Sequence, residues 1–225
     1  MNLSLIDFSA LWLTLKVAGF ATALALVTGV AAGFGIARTR LPGRRLVEAV
    51  LTLPMVLPPT VLGYYLIVTL GRNSVLGGWL HDSLGINLIF TWQGAVIAAA
   101  SVAFPLVFTS SRAAFEGVDA NFEKAARVLG SSELKVFVRV TLPLAMRGIA
   151  AGTLLAFARA MGEFGATLMI AGNIPGKTQT LSMAIYDAVQ AGNDTLANVL
   201  VVVISLLCIA ILVLSGHLLN RSVLR

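Results

Sequence analysis

The sequence predicts an all-α membrane protein, a polytopic bundle of about five transmembrane helices. Three observations carry that prediction. The 225 residues are 58% apolar and 12% charged, with a positive mean hydropathy, which is more apolar surface than one aqueous core can bury. The apolar residues gather into five runs, 11–37, 47–70, 90–110, 144–171 and 196–218, each long enough to cross about 30 Å of hydrocarbon at roughly 20 residues per span. None of the runs alternates apolar with polar residues as a barrel strand does, and in lipid a helix satisfies its backbone hydrogen bonds within one segment.

In the first run, Asp7 and no basic residue precedes the apolar stretch, and the stop at Arg38 comes late, so this is expected to be a retained span and not a signal peptide. Gly29 and Gly33 form a small-x-x-x-small pair suited to close helix packing, as do Gly148 and Gly152 in the fourth run. Trp12 and Trp92 fall near the same end of runs one and three, either as interfacial anchors or as packing residues. The second run contains LPMVLPPTVLGYY, where Pro54, Pro58 and Pro59 remove backbone donors. A bent or broken helix is expected there, lining a substrate path or simply shaping the bundle. Cys208, the single cysteine, lies within the fifth run and can supply neither an intrachain disulfide nor a metal site alone.

Between runs three and four stands a polar interruption, FEKAARVLGSSELKVFVRVTLP, from Phe122 to Pro143. As a helix it places Phe122, Ala125, Ala126 and Leu129 on one face, and Ala126 with Gly130 forms a shallow notch that suits a docking partner. Gly130 should end or bend that helix, a second short helix should run through Leu134, Phe137 and Val138, and Pro143 should open the fourth span. In that span, Arg159 and Glu163 lie four apart in FARAMGEFGA. They either pair structurally or share work at a wet pathway, where Arg159 attracts an anion and Glu163 balances it, because a lone intramembrane charge is costly.

Charge sets the orientation. Arg38, Arg40, Arg44 and Arg45 follow the first run; Arg112, Lys124, Arg127, Lys135, Arg139 and Arg147 surround the polar interruption; Arg221 and Arg225 end the chain. The opposite connections, Gly71 to Ile89 and Gly172 to Thr195, hold only Arg72 and Lys177. The positive-inside rule then places the N-terminus outside and both the polar loop and the C-terminus in the cytoplasm. The net charge of +6 follows from this asymmetry, so membrane lipid or a protein surface is the expected partner and nucleic acid is not.

Enzyme and nucleotide signatures are lacking. AGNIPGKT, Ala171 to Thr178, encloses three residues between its glycines where a phosphate-binding loop needs four, so it is expected to be an outer turn built on Pro175 and Gly176. His81 and His217 fall on opposite sides, and no closely spaced metal-ligand set is present. Asn193-Asp194-Thr195 matches a glycosylation pattern too short to carry weight. No internal repeat of the kind common in secondary transporters is visible.

The polar loop resembles the EAA loop of ABC importer permeases: Ala125, Ala126, Gly130, Val140, Leu142 and Pro143 fall in register with it. Lys124 occupies the glutamate slot, with Glu123 one place earlier, and Val140 replaces isoleucine. The resemblance covers nearly the whole chain and narrows to molybdate permeases through LPMVLPPTVLGYYL, FEKAARVLG, LAFARAMGEFGAT and NIPGKTQTLSMAIYDAVQ, parts of which are shared with sulfate permeases. It implies a type I importer transmembrane domain over 10–218 with a cytoplasmic coupling loop at 112–143. It also implies docking of an ATPase through Glu123, Ala125, Ala126, Gly130, Leu142 and Pro143, and a pathway near Pro58, Pro59, Arg159 and Glu163. The implied partners are a second, identical permease chain, cytoplasmic ATPase subunits that hold ATP and magnesium, and a periplasmic oxyanion-binding protein. The chain itself would hold no cofactor and perform no covalent chemistry.

Overall fold

A computed structural model describes residues 8–39 and 42–221, with side chains over 9–39 and 42–213. Asp7, Arg40 and Arg225 lie outside the described residues, as do the side chains of His217 and Arg221. Among the described residues all regular structure is helical.

The bundle is organised around α5 (Trp92–Glu116), of whose apolar window 67% is buried, against 11% for α11 (Asp194–Arg221). Helix α5 is therefore the axis and α11 a peripheral span. Helix α1 (Phe8–Arg38) lies along α5 through Val17, Ala18, Ala21 and Ala25, three or four apart on one face. Lipid tails are as apolar as leucine, so these helices associate through close contact and not through escape from water. A Cβ on Gly29 would stand 2.9 Å from the Val107 Cβ, and one on Gly33 would stand 2.9 Å from the Arg112 backbone nitrogen. Helix α8 (Leu142–Met161) seats on α5 in the same way, with Gly148 against Ala114 and Gly152 against Ser110. Both small-residue pairs are thus packing seats on one central helix.

The second span is broken as the prolines predict. Helices α2 (Arg44–Val56) and α3 (Pro59–Leu70) meet at 109°. Pro58 drives Leu57 into extended backbone (ψ 141°), and Pro59 occupies a helix start where its missing N–H costs nothing. Ion pairs Arg44–Glu116 and Arg112–Glu48 fasten the base of α2 to α5.

The fourth span departs from expectation at both ends. Its apolar run does not form one helix to Ala171: α8 stops at Met161, and α9 (Gly165–Ala171) restarts after Gly162–Phe164. The Glu163 carboxylate accepts the Ala166 N–H at 2.9 Å, which offers the backbone an alternative to continued helix. At the other end the loop helix α6 (Ala120–Val128) ends near Gly130, but no separate second helix follows. Helix α7 (Glu133–Val136), a π-helical segment at Phe137–Thr141 and α8 form one continuous run of 29 residues. Pro143 stands in the first turn of α8, inside this longer continuous run. The Leu142 N–H reaches back five residues to the Phe137 carbonyl, and that wider turn makes room for a proline that has no N–H to donate.

The two remaining connections contain α4 (Val75–Leu84) and α10 (Leu181–Gln190). The Leu181 N–H at the start of α10 donates to Thr14 Oγ1 of α1 at 2.8 Å, and Thr14 Oγ1 donates to the Ala10 carbonyl at 2.8 Å. In the AGNIPGKT stretch, the Ile174 carbonyl accepts from Lys177, Thr178 and Gln179, so it is a tight turn. Asn193 Oδ1 accepts the Leu196 N–H at 3.1 Å and caps α11, which gives the Asn-Asp-Thr pattern a structural use. Trp12 is 69% exposed, whereas Trp92 packs on Phe20 with ring centroids 5.6 Å apart.

Replacing Gly33 with valine is expected to cost about 1–3 kcal/mol through overpacking of the α1–α5 seam. Gly35→Ala, on the same helix with nothing within 4 Å of its Cβ position, should be neutral. Thermal unfolding of the detergent-solubilised protein compares the two.

Candidate functional site

Two groups of residues carry the functional candidates, one at the α6 loop and one where the broken spans meet. At the loop, the chain leaves α6 through a Schellman turn: Ser131 N–H to Ala126 carbonyl at 3.1 Å, and Gly130 N–H to Arg127 carbonyl at 2.9 Å. Gly130 adopts φ 79°, the left-handed region in which a side chain is strained, and a Cβ there would meet nothing within 4 Å. The notch expected between Ala126 and Gly130 is therefore a helix end opening onto free space. Around it Phe122, Ala125, Val128, Leu129 and Leu134 are exposed, Val128 at 87% and Leu129 at 84%. So much exposed apolar surface on a short helix makes this face the candidate for docking.

Glu123 faces the other way. It is 3% exposed and is the buried residue of α6. Arg38 at the end of α1 pairs with its Oε1, the Thr141 hydroxyl donates to the same oxygen at 2.7 Å, and Arg127 stands 3.8 Å from Oε2. Arg127 also forks onto Glu133 at 2.7 and 3.1 Å, and the hydrogen bond it donates to that carboxylate raises the Arg127 pKa above its ordinary value. Of the loop candidates, then, Ala125 and Gly130 are exposed, Ala126 is half-buried, and Glu123 is turned into the bundle. Leu142 and Pro143 belong to the head of span four.

The second group forms because both breaks fall at the same place. A Cβ on Gly165, the first residue of α9, would lie 2.6 Å from the Pro59 Cβ, the first residue of α3. Further along the same pair, Gly63 of α3 sits against Met169 and Ala166 of α9. Arg159 Nη2 is 2.9 Å from Glu163 Oε2, so the expected pair forms across the end of α8. Glu163 is 2% exposed in its side chain and Arg159 39%. The carboxylate thus has both oxygens committed, one to Arg159 and one to the α9 backbone, while the Arg159 side chain stays partly exposed. Pro58, Pro59 and Thr60 are exposed beside this junction.

The model of a binding-protein-dependent transport system inner membrane component matches residues 25–225. The chain belongs to this family. Among its relatives, the Escherichia coli (strain K12) molybdenum transport system permease protein ModB is 44% identical over 209 residues, covering 92% of this chain and 91% of that one. The putative molybdenum transport system permease protein YvgM of Bacillus subtilis (strain 168) is 45% identical over 203 residues, 89% of each chain. The sulfate transport system permease protein CysW of Synechocystis is 37% identical over 214 residues, 95% of this chain and 77% of that one. Among solved structures, the MetNI methionine ABC transporter in an inward-facing form is similar with a TM-score of 0.73 over 94% of both chains at 18% identity. A bacterial ABC transporter that imports alginate gives 0.76 over 95% of this chain and 79% of that one, at 17% identity. The type I importer permease fold implied by the sequence is therefore the fold observed.

Two features of these sites escaped the sequence. The Glu123–Arg38 pair joins residues 85 apart, and no local pattern signals such a contact. The meeting of Pro59 with Gly165 was signalled only by proline in one run and glycines in another, each readable alone as a kink.

Proposed function

We propose that this chain is the membrane-spanning permease of an ATP-driven importer that carries molybdate from the periplasm to the cytoplasm by alternating access, with tungstate as a second cargo. The observation that carries the reading is the identity of 44% and 45% to molybdenum permeases over about nine-tenths of each chain. The lower identity to CysW, at 37%, favours molybdate over sulfate. The N-terminus lies outside and the α6 loop and C-terminus lie in the cytoplasm, as the basic residues direct.

In this reading two identical copies enclose the pathway, and a periplasmic protein delivers the oxyanion. Each copy docks an ATPase subunit through the exposed face around Ala125, Ala126 and Gly130, and ATP and magnesium are held by that subunit. ATP favours one packing of the bundle over the other and so shifts the population between outward- and inward-open states. Pro58, Pro59, Arg159 and Glu163 line the path at the junction of the two breaks. Arg159 supplies positive charge to a passing oxyanion, and Glu163 holds that charge neutral when the path is empty.

Cells with the chain are expected to accumulate molybdenum at trace external molybdate, and cells without it are not, with a large excess of sulfate competing little. Full competition by sulfate would assign the chain to sulfate transport. Gly130→Asp should abolish uptake and ATPase co-purification at normal membrane abundance. Aspartate is among the residues that tolerate the left-handed conformation best, so the loss would report the blocked docking face. Arg159→Ala should impair uptake; Arg159→Lys keeps the charge without the fork, and uptake retained in it would assign Arg159 a charge role alone.

A further inference from the structure

We infer that Glu123 acts inside the chain, as the clamp through which movement of the α6 loop reaches α1 and the head of span four. It is not a contact to the ATPase. This deepens the permease reading and rests on it.

Few side chains hold α6 to the bundle. Its apolar residues Phe122, Val128 and Leu129 point outward, and Glu123 is its buried residue. Within α6, Glu123 is therefore the buried side chain through which a push on the exposed face reaches α1. That carboxylate is gripped from two separate elements: Arg38 ends α1, and Thr141 closes the π-helical segment that leads into α8. Beneath the grip the same elements interlock through aromatic rings. Phe34 of α1 lies 4.7 Å from Phe137 of the π-helical segment and 5.2 Å from Phe115 of α5, and the Arg38 guanidinium stacks 5.7 Å from Phe34. A cleft of about 590 Å³ beside the clamp, bordered by Arg38, Glu123, Arg127, Leu134 and Phe137, leaves α6 room to tilt while its buried carboxylate stays fixed.

The chemistry suits transmission. A carboxylate removed from water and paired with a guanidinium is costly to separate, because parting them leaves a buried charge uncompensated. The π-helical turn at Phe137–Thr141 is a point where a helix can change register without breaking. Glu123 is thus attached to a rigid element on one side and an adaptable one on the other. Lys124, which is exposed, stands in the position where the family resemblance places a glutamate, and the carboxylate one residue earlier is buried.

The test is the number of ATP molecules hydrolysed per molybdate imported, measured on the complex of permease, ATPase and binding protein in liposomes. If the unaltered complex imports no molybdate, the permease reading fails and the clamp fails with it. Given import, Arg38→Gln and Glu123→Gln should each leave ATPase co-purification and hydrolysis in place and raise ATP used per molybdate about tenfold, the size of a typical coupling between sites. The double variant should be no worse than either single one, since each already breaks the same link. Loss of ATPase binding in Glu123→Gln with normal behaviour of Arg38→Gln would overturn the inference, because Glu123 would then be a docking contact. A second arm covers misfolding of these variants. In a Cys208→Ala background, Arg38→Cys combined with Glu123→Cys should be uncoupled when reduced and recover coupling when the two thiols are bridged by a short bifunctional reagent. Transport that stays uncoupled, or stops, on bridging would show that α6 must part from α1, and would overturn the clamp.

Discussion

The seam of small residues along α5 is the constraint on which the rest of the molecule depends. In water the burial of leucine and valine would draw these helices together, but in hydrocarbon that force vanishes and only close packing remains. Gly29 and Gly33 on one side of α5, and Gly148 and Gly152 on the other, remove the side chains that would hold the helices apart. The alanines of α5, four of them fully buried at positions 95, 98, 99 and 103, do the same from the centre. With α1, α5 and α8 locked in this way, the broken and peripheral elements have a fixed frame against which to be placed.

Function sits at the ends of that frame, where its regularity is given up. The second and fourth spans both break, and they break beside each other, so that helix starts, a guanidinium and proline-freed backbone gather at one junction. Irregular backbone is tolerated at membrane depth only where protein or a wet path surrounds it. The exposure of Pro58 and Pro59 beside the junction with Gly165 is the reason the proposed pathway is placed there. At the other end the loop helix turns its apolar surface outward and keeps one buried carboxylate for its own chain.

The loop helix was legible because its pattern is local. A helix face needs residues three and four apart, and its stop needs a glycine, so Phe122, Ala125 and Gly130 could be placed from spacing alone. The direction of Glu123 was not legible, because it depends on Arg38 and Thr141, whose positions are set by the packing of other helices. The Arg159–Glu163 pair lies between these cases. Its spacing of four predicted the contact, and the contact forms, but the helix ends before Glu163, whose second oxygen caps the helix that follows.

The sequence by itself determined that the chain is helical, that it crosses a membrane about five times and that the second span breaks. These follow from hydrophobic run length, from the backbone's need for hydrogen bonds in lipid and from the chemistry of proline, all properties of contiguous residues. Tertiary structure alone decided that the break in span two meets a break in span four, that the loop continues into span four through a π-helical turn, and that Glu123 faces inward. Each of these rests on contacts between residues far apart in the chain, and such contacts exist only once α1, α5 and α8 have packed.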